Sequence, residues 1–278
     1  MIRHSGATKP SPRVHDWTED HRRRQTNRRF LEAGLRFLDD EGSAGIVIGL
    51  LGQRDLPGVA LRRAQAMLRW DLRPSLWSHA FLLVNPSPDE PLRELAYEVS
   101  LHPRTGAFPE PARNAVTATP LRLYDDARVD ANVALLGVAL DDRQVEAVAY
   151  RAVDDPNLDR LRYDFWQSLG AWQTYLWSAG SAPNPLREGF PIFSSALIEY
   201  CFEAVQLDLA PATSERNSAP EHLWNAARWW DETYTELEKP ISGCYLLRDP
   251  ECALLDPTEL ATVEAKRVGP SMRPPKPA

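Results

Sequence analysis

The chain has 278 residues, 43% of them hydrophobic, with a formal net charge of -7, enough apolar content for one substantial core or two modest ones. That acidic balance excludes a general nucleic-acid binder, which needs a surplus of Lys and Arg on one face. No window approaches the roughly 18 consecutive apolar residues of a spanning helix, so no membrane span is expected.

Residues 1–16 and 267–278 are rich in Pro, Ser and basic residues and read as flexible tails. A single domain is expected over 17–266, with an N-terminal helical extension. MIRHSGATKPSPRVHDW lacks the apolar stretch of a secretory signal. The expectation is therefore synthesis in the cytoplasm, with any target outside it reached through signal-peptide-independent delivery machinery or a protein partner. An amphipathic helix is predicted over 18–40, with Phe30, Leu31, Leu35 and Leu38 at helical spacing. It carries the dense basic run HRRRQTNRR at 21–29, flanked by Asp16, Glu19, Asp20 and Glu32. That run reads as a solvated helix face, with binding to a partner or an anionic surface as the other reading.

GIVIGLLG at 45–52 is a short, glycine-bounded, β-branched run and predicts a buried strand, followed by a helix over 58–70. Strands at 79–84 and 93–101, separated by NPSPDEP, predict a hairpin. Another strand is predicted over 132–140, then a helix in DDRQVEAVAYRAV. Residues 157–178 have a helical pattern dense in aromatics, and residues 194–208 have helical periodicity. The last clear helix starts at Ser218-Ala219-Pro220-Glu221, a capping-box spacing with Pro in the first turn. The three cysteines, Cys201, Cys244 and Cys252, are too few and too irregularly spaced for a disulfide framework or a zinc site, and read as buried free thiols. The six histidines lack metal-ligand spacing, so neither a metal nor a cofactor is expected.

Three residues carry candidate chemistry. His79 opens an apolar strand, Glu98 lies one strand over if the hairpin forms, and Ser194 starts a helix-like segment. A nucleophile at a helix start gains from unpaired backbone donors and the positive end of the macrodipole. An imidazole beside it takes the proton, and a carboxylate on the other ring nitrogen sets the tautomer. Taken singly, each residue also has an ordinary role: a strand-edge histidine, an outward-facing strand glutamate, a helix N-cap.

GIVIGLLG, SLWSHAFLLV, LAYEVSL, LRYDFW and FPIFSSALIEYCFEAVQLDLAPATSERNSAPEHLW, taken in this order, resemble the circularly permuted NlpC-type (YiiX-like) papain-fold hydrolases over roughly residues 45–230. The resemblance implies an α+β permuted papain-like fold, an antiparallel sheet packed with helices. It puts Ser78-His79 at the general-base position, Glu98 at the orienting position, Tyr163-Asp164 near the oxyanion site and Ser194-Ser195 at the family's Cys-Ser pair. Tyr163 and Ser195 are thus the implied substrate or oxyanion contacts.

The implied reaction is acyl-enzyme hydrolysis of an amide bond in a peptide, isopeptide or cell-wall peptide; the implied partner is a peptide, glycopeptide or acyl substrate. Two departures stand out: Ser194 replaces the cysteine, and Ala196 replaces an acidic residue that often follows the pair. Cys201, seven residues on along the same helix face, reads as inert core. Three accounts of Ser194 stand open: an inactive Cys-to-Ser form of a thiol hydrolase, a natural serine nucleophile, or a catalytically dead relative serving as a binding protein. Lipid acyltransferase or esterase chemistry is a further alternative.

Overall fold

The structure is a computed structural model and describes residues 14–18, 26–99, 116–155, 194–211, 218–233 and 241–267. The described strands are β1 (Val14–Asp16), β2 (Ile46–Gln53), β3 (His79–Val84), β4 (Leu95–Val99), β5 (Val116–Pro120), β6 (Asp130–Val138) and β7 (Ile241–Leu246). They form one sheet in the order β1-β7-β6-β2-β3-β4-β5. The described helices are α1 (Arg28–Asp40), α2 (Leu56–Ala64), α3 (Asp142–Val153), α4 (Ser194–Phe202), α5 (Pro220–Thr233) and α6 (Pro257–Arg267). The fold is α+β, as expected, but the sheet is mixed: β1 pairs parallel with β7, and the other neighbours are antiparallel.

Strands apolar on both faces belong where a sheet is covered on both sides. β2 and β6, side by side at the centre, are buried along their whole length. One face is covered by α1, whose Phe30, Leu31, Leu35 and Leu38 pack with Val47, Leu51, Phe81, Leu83 and Leu135. Gly34 brings α1 close: a Cβ there would sit 2.8 Å from Leu135 and 2.9 Å from the Cys244 sulfur. The other face carries α4 and α5, with Leu197, Ile198, Phe202, Leu223 and Trp224 in one core with Ile46, Ile48, Leu50, Ala80 and Leu82.

Several sequence expectations are corrected. Residues 14–16, within the expected tail, form β1, because β7 offers them a backbone ladder. Of the helix expected over 18–40, α1 covers Arg28–Asp40; Thr26 forms a β-bridge with Asp126 and interrupts it, and residues 19–25, with most of the basic run, lie outside the described residues. The helix expected over 58–70 starts earlier, where the Asp55 side chain accepts the Gly58 N–H, and tightens after Ala64 into a 3-10 turn over Gln65–Leu68. At α5 the anticipated capping box does not form. The Glu221 carboxylate accepts from Ser75 Oγ at 2.6 Å and pairs with Arg69, while Ser218 Oγ donates to Glu199. A complete capping box stands at α3 instead, between Asp141 and Gln144. The aromatic segment 157–178 lies outside the described residues.

Candidate active site

β3 and β4 pair at Leu82 and Tyr97. Continued two residues further, that register would set Ala80 opposite Val99, but the Ala80 N–H goes elsewhere. It donates to Ser194 Oγ at 3.1 Å. The first residue of α4 therefore enters the sheet's hydrogen bonding where β3 and β4 part, and Ser194 is buried there.

Alternation along β3 puts Ala80 and Leu82 on the face of α4, and Phe81 and Leu83 on the face of α1. His79 follows the second set. Its Nε2 meets Glu98 Oε2 at 2.7 Å, with the imidazole 2% and the carboxylate 0% exposed. The same oxygen accepts the Tyr124 hydroxyl at 2.5 Å. A carboxylate oxygen accepts from both groups, so Nε2 carries a proton directed at Oε2. Nδ1 is buried and has no hydrogen-bond partner among the described residues. His79 and the Ala80 amide that binds Ser194 Oγ are consecutive along β3. Ser194 Oγ accepts that amide and retains its own proton to give. Among the described contacts the imidazole and the hydroxyl share no hydrogen bond, and alternation along β3 turns the His79 side chain toward the α1 face while α4 covers the other.

Chemically, this arrangement contains a base, a carboxylate that sets its tautomer, and a backbone N–H aimed at the oxygen that would become anionic on deprotonation. The start of α4 adds its positive helix end.

Tyr124 is the member of this buried cluster that the sequence did not reveal. It ends a 3-10 turn, Leu121–Tyr124, after β5, and nothing local in LRLYDD marks it. Its ring stacks on Phe81 at 5.8 Å, and its carbonyl accepts from Asn27 Nδ2 at 2.8 Å. Gly49 makes the stack fit: a Cβ there would lie 2.0 Å from the Phe81 ring. Tyr124→Phe deletes a hydrogen bond to a buried carboxylate and is expected to cost about 2 kcal/mol of unfolding free energy in urea melts.

Ser195 Oγ donates to the Ser218 carbonyl at 2.7 Å, so its hydroxyl ties α4 to the approach to α5. Ser78 Oγ accepts the Gln53 N–H at 3.0 Å, where the register between β2 and β6 shifts. Tyr163 and Asp164 lie outside the described residues. Cys201 is buried on α4, and burial pushes its thiol up to about 12; burial also raises the thiols of Cys244 and Cys252. None is in a disulfide. All three are expected to resist iodoacetamide at neutral pH in the folded chain and to label fully after denaturation, as read by intact mass.

No family model and no curated protein matches this chain. Among solved structures it is similar to the metalloprotein YiiX of Escherichia coli O157:H7, DUF1105, with a TM-score of 0.36 at 15% identity, covering 74% of this chain and 89% of that one. That is a weak neighbour of the kind the motifs resemble, too distant to assign a role to any residue. Among the described residues no helix is long and apolar enough to cross a membrane.

Proposed function

We propose that this chain carries a papain-type acyl-transfer site with serine at the nucleophile position. His79 is the base, Glu98 orients it, and residue 194 attacks the carbonyl of an amide bond in a peptide, isopeptide or cell-wall peptide. The observation that carries the reading is the buried His79–Glu98 pair with its free Nδ1, set one residue from the amide that binds Ser194 Oγ. A buried imidazole with one nitrogen unsatisfied is costly to keep, and such groups cluster at sites of chemistry.

In the forward step the Ser194 oxygen bonds to the carbonyl carbon while its proton passes to His79 Nδ1. The tetrahedral oxyanion then collapses, and the amine leaves with that proton. Water hydrolyses the acyl-enzyme by the same relay in reverse. An alcohol is far less acidic than a thiol, so the chain as it stands is the low-activity counterpart of a thiol hydrolase. The inactive Cys-to-Ser account is preferred here over a natural serine nucleophile.

The test is intact-mass spectrometry after incubation with an activated ester. The Ser194→Cys variant is expected to accumulate one acyl adduct on the peptide containing residue 194, and His79→Ala in that variant is expected to abolish it. Absence of the adduct in Ser194→Cys would leave the binding-protein reading in its place.

A further inference from the structure

The connection from β2 to β3 is more than a linker. Leu56, Met67, Trp70 and Leu72, all on this connection, are exposed, Trp70 at 95% and Leu72 at 64%. Leu56, Ala60, Arg63 and Met67 recur at alternating spacings of four and three residues along α2 and the 3-10 turn that continues it, and Trp70 follows in the turn just beyond. The tip is held rigidly. Leu72 adopts a left-handed backbone, φ 54°, uncommon for a branched residue, and donates its N–H to the Arg69 carbonyl at 3.2 Å. Beneath it, Arg69 pairs with Asp71 at 2.9 Å and with Glu221 of α5 at 3.3 Å, and Asn225 donates to the Leu68 carbonyl.

The charge of this segment runs against the acidic balance of the whole chain. Between Leu56 and Pro74 the sole carboxylate is Asp71, which Arg69 holds, and Arg62 is buried against Asp249. Arg63 and Arg73 are left as exposed cations beside the apolar tip, on a chain whose net charge is -7. A tryptophan exposed at 95% projects from its surface instead of lining one. Projecting Trp and Leu side chains flanked by Arg match the boundary between lipid headgroups and acyl chains, where indole is amphipathic and anionic lipid attracts the cations.

We propose that this loop docks the protein on a bilayer surface bearing anionic headgroups, with Met67, Trp70 and Leu72 entering the headgroup boundary and Arg63 and Arg73 meeting the phosphates. The loop continues through Pro74 and Ser75 into His79, the first residue of β3. The inference stands apart from the hydrolase reading, since binding needs no reaction.

The experiment is co-sedimentation of the full chain with vesicles of equal phosphatidylcholine and phosphatidylserine, against phosphatidylcholine alone, at low and high salt. Expected is binding to the anionic vesicles that fades with salt and weakens about tenfold or more in Trp70→Ser and in the double variant Arg63→Glu/Arg73→Glu, while Trp70→Phe retains most of it. Unchanged thermal melts by circular dichroism establish that each variant is folded, as expected for exposed side chains. No binding by the parent chain would overturn the proposal, as would equal binding by Trp70→Ser. So would sedimentation equilibrium showing a dimer that Trp70→Ser dissociates, because the tip would then face a second copy.

Discussion

Ser194→Cys is expected to raise hydrolysis of a peptide amide or its ester by about 100-fold or more in kcat/KM over the parent chain. The substitution changes one atom, and the surroundings already suit a thiolate. The Ala80 N–H points at the position of that atom, 3.1 Å from the present oxygen. The helix start favours negative charge there, and Nδ1 of His79 is free to hold the proton. An alcohol draws on the same features poorly, because its pKa lies far above that of the imidazolium it must pass its proton to. In the Ser194→Cys background, His79→Ala should remove about 100-fold or more of the rate, and Glu98→Gln less, since it disturbs only the orientation of the ring. Tyr124→Phe should lower kcat through Glu98 while leaving KM near its starting value. Because the three native thiols are held protonated by burial, the introduced thiol should be the one that reacts quickly with iodoacetamide. A gain below about tenfold, or one indifferent to His79→Ala, would remove the hydrolase reading.

Asp249→Ala should cost about 3–5 kcal/mol in urea unfolding, a large part of the roughly 5–15 kcal/mol of a typical domain. Arg62 is fully buried, and Asp249 is its one charged partner among the described ion pairs, at 2.7 Å. The guanidinium also donates to the carbonyls of Ser75 at 2.8 Å and Asp249 at 2.6 Å. Removing the carboxylate strands a cation in the interior, whereas the double variant Arg62→Met/Asp249→Leu should recover most of the loss. The site is coupled to this ion pair through the backbone. Arg62 grips Ser75 from both sides, with its side chain on the Ser75 carbonyl and its own carbonyl accepting the Ser75 N–H at 2.8 Å. Ser75 Oγ in turn bonds Glu221, and the strand carrying His79 starts four residues later. A loss near 1 kcal/mol would mean that water or another anion replaces Asp249.

Local pattern revealed much of the frame. The stripe Phe30, Leu31, Leu35, Leu38 marked α1 because helical periodicity is written in neighbouring residues. GIVIGLLG and HAFLLV marked β2 and β3 because doubly covered strands are apolar throughout. The turn-forming NPSPDEP between two apolar runs sets His79 and Glu98 on neighbouring strands, where they meet at 2.7 Å. By contrast, β1, β5, β7 and α6 were not anticipated, since ISGCYL and VTATP are short and become strands only through the neighbours they find. The capping box at Ser218 failed for a related reason: Glu221 had better partners in Ser75 and Arg69, far away in sequence.

The sequence by itself determined the central strands and the α1 stripe, because each rests on spacing within a few residues, while the α+β class and the three residues with candidate chemistry came from the order of several short motifs that together resemble a known family. Only the tertiary structure decided that Ser194 takes the Ala80 amide from 114 residues away, that Tyr124 completes the Glu98 carboxylate across 26, and that Asp249 neutralises Arg62 across 187. Buried polar groups must find partners wherever the folded backbone delivers them, and sequence separation places no limit on where that is.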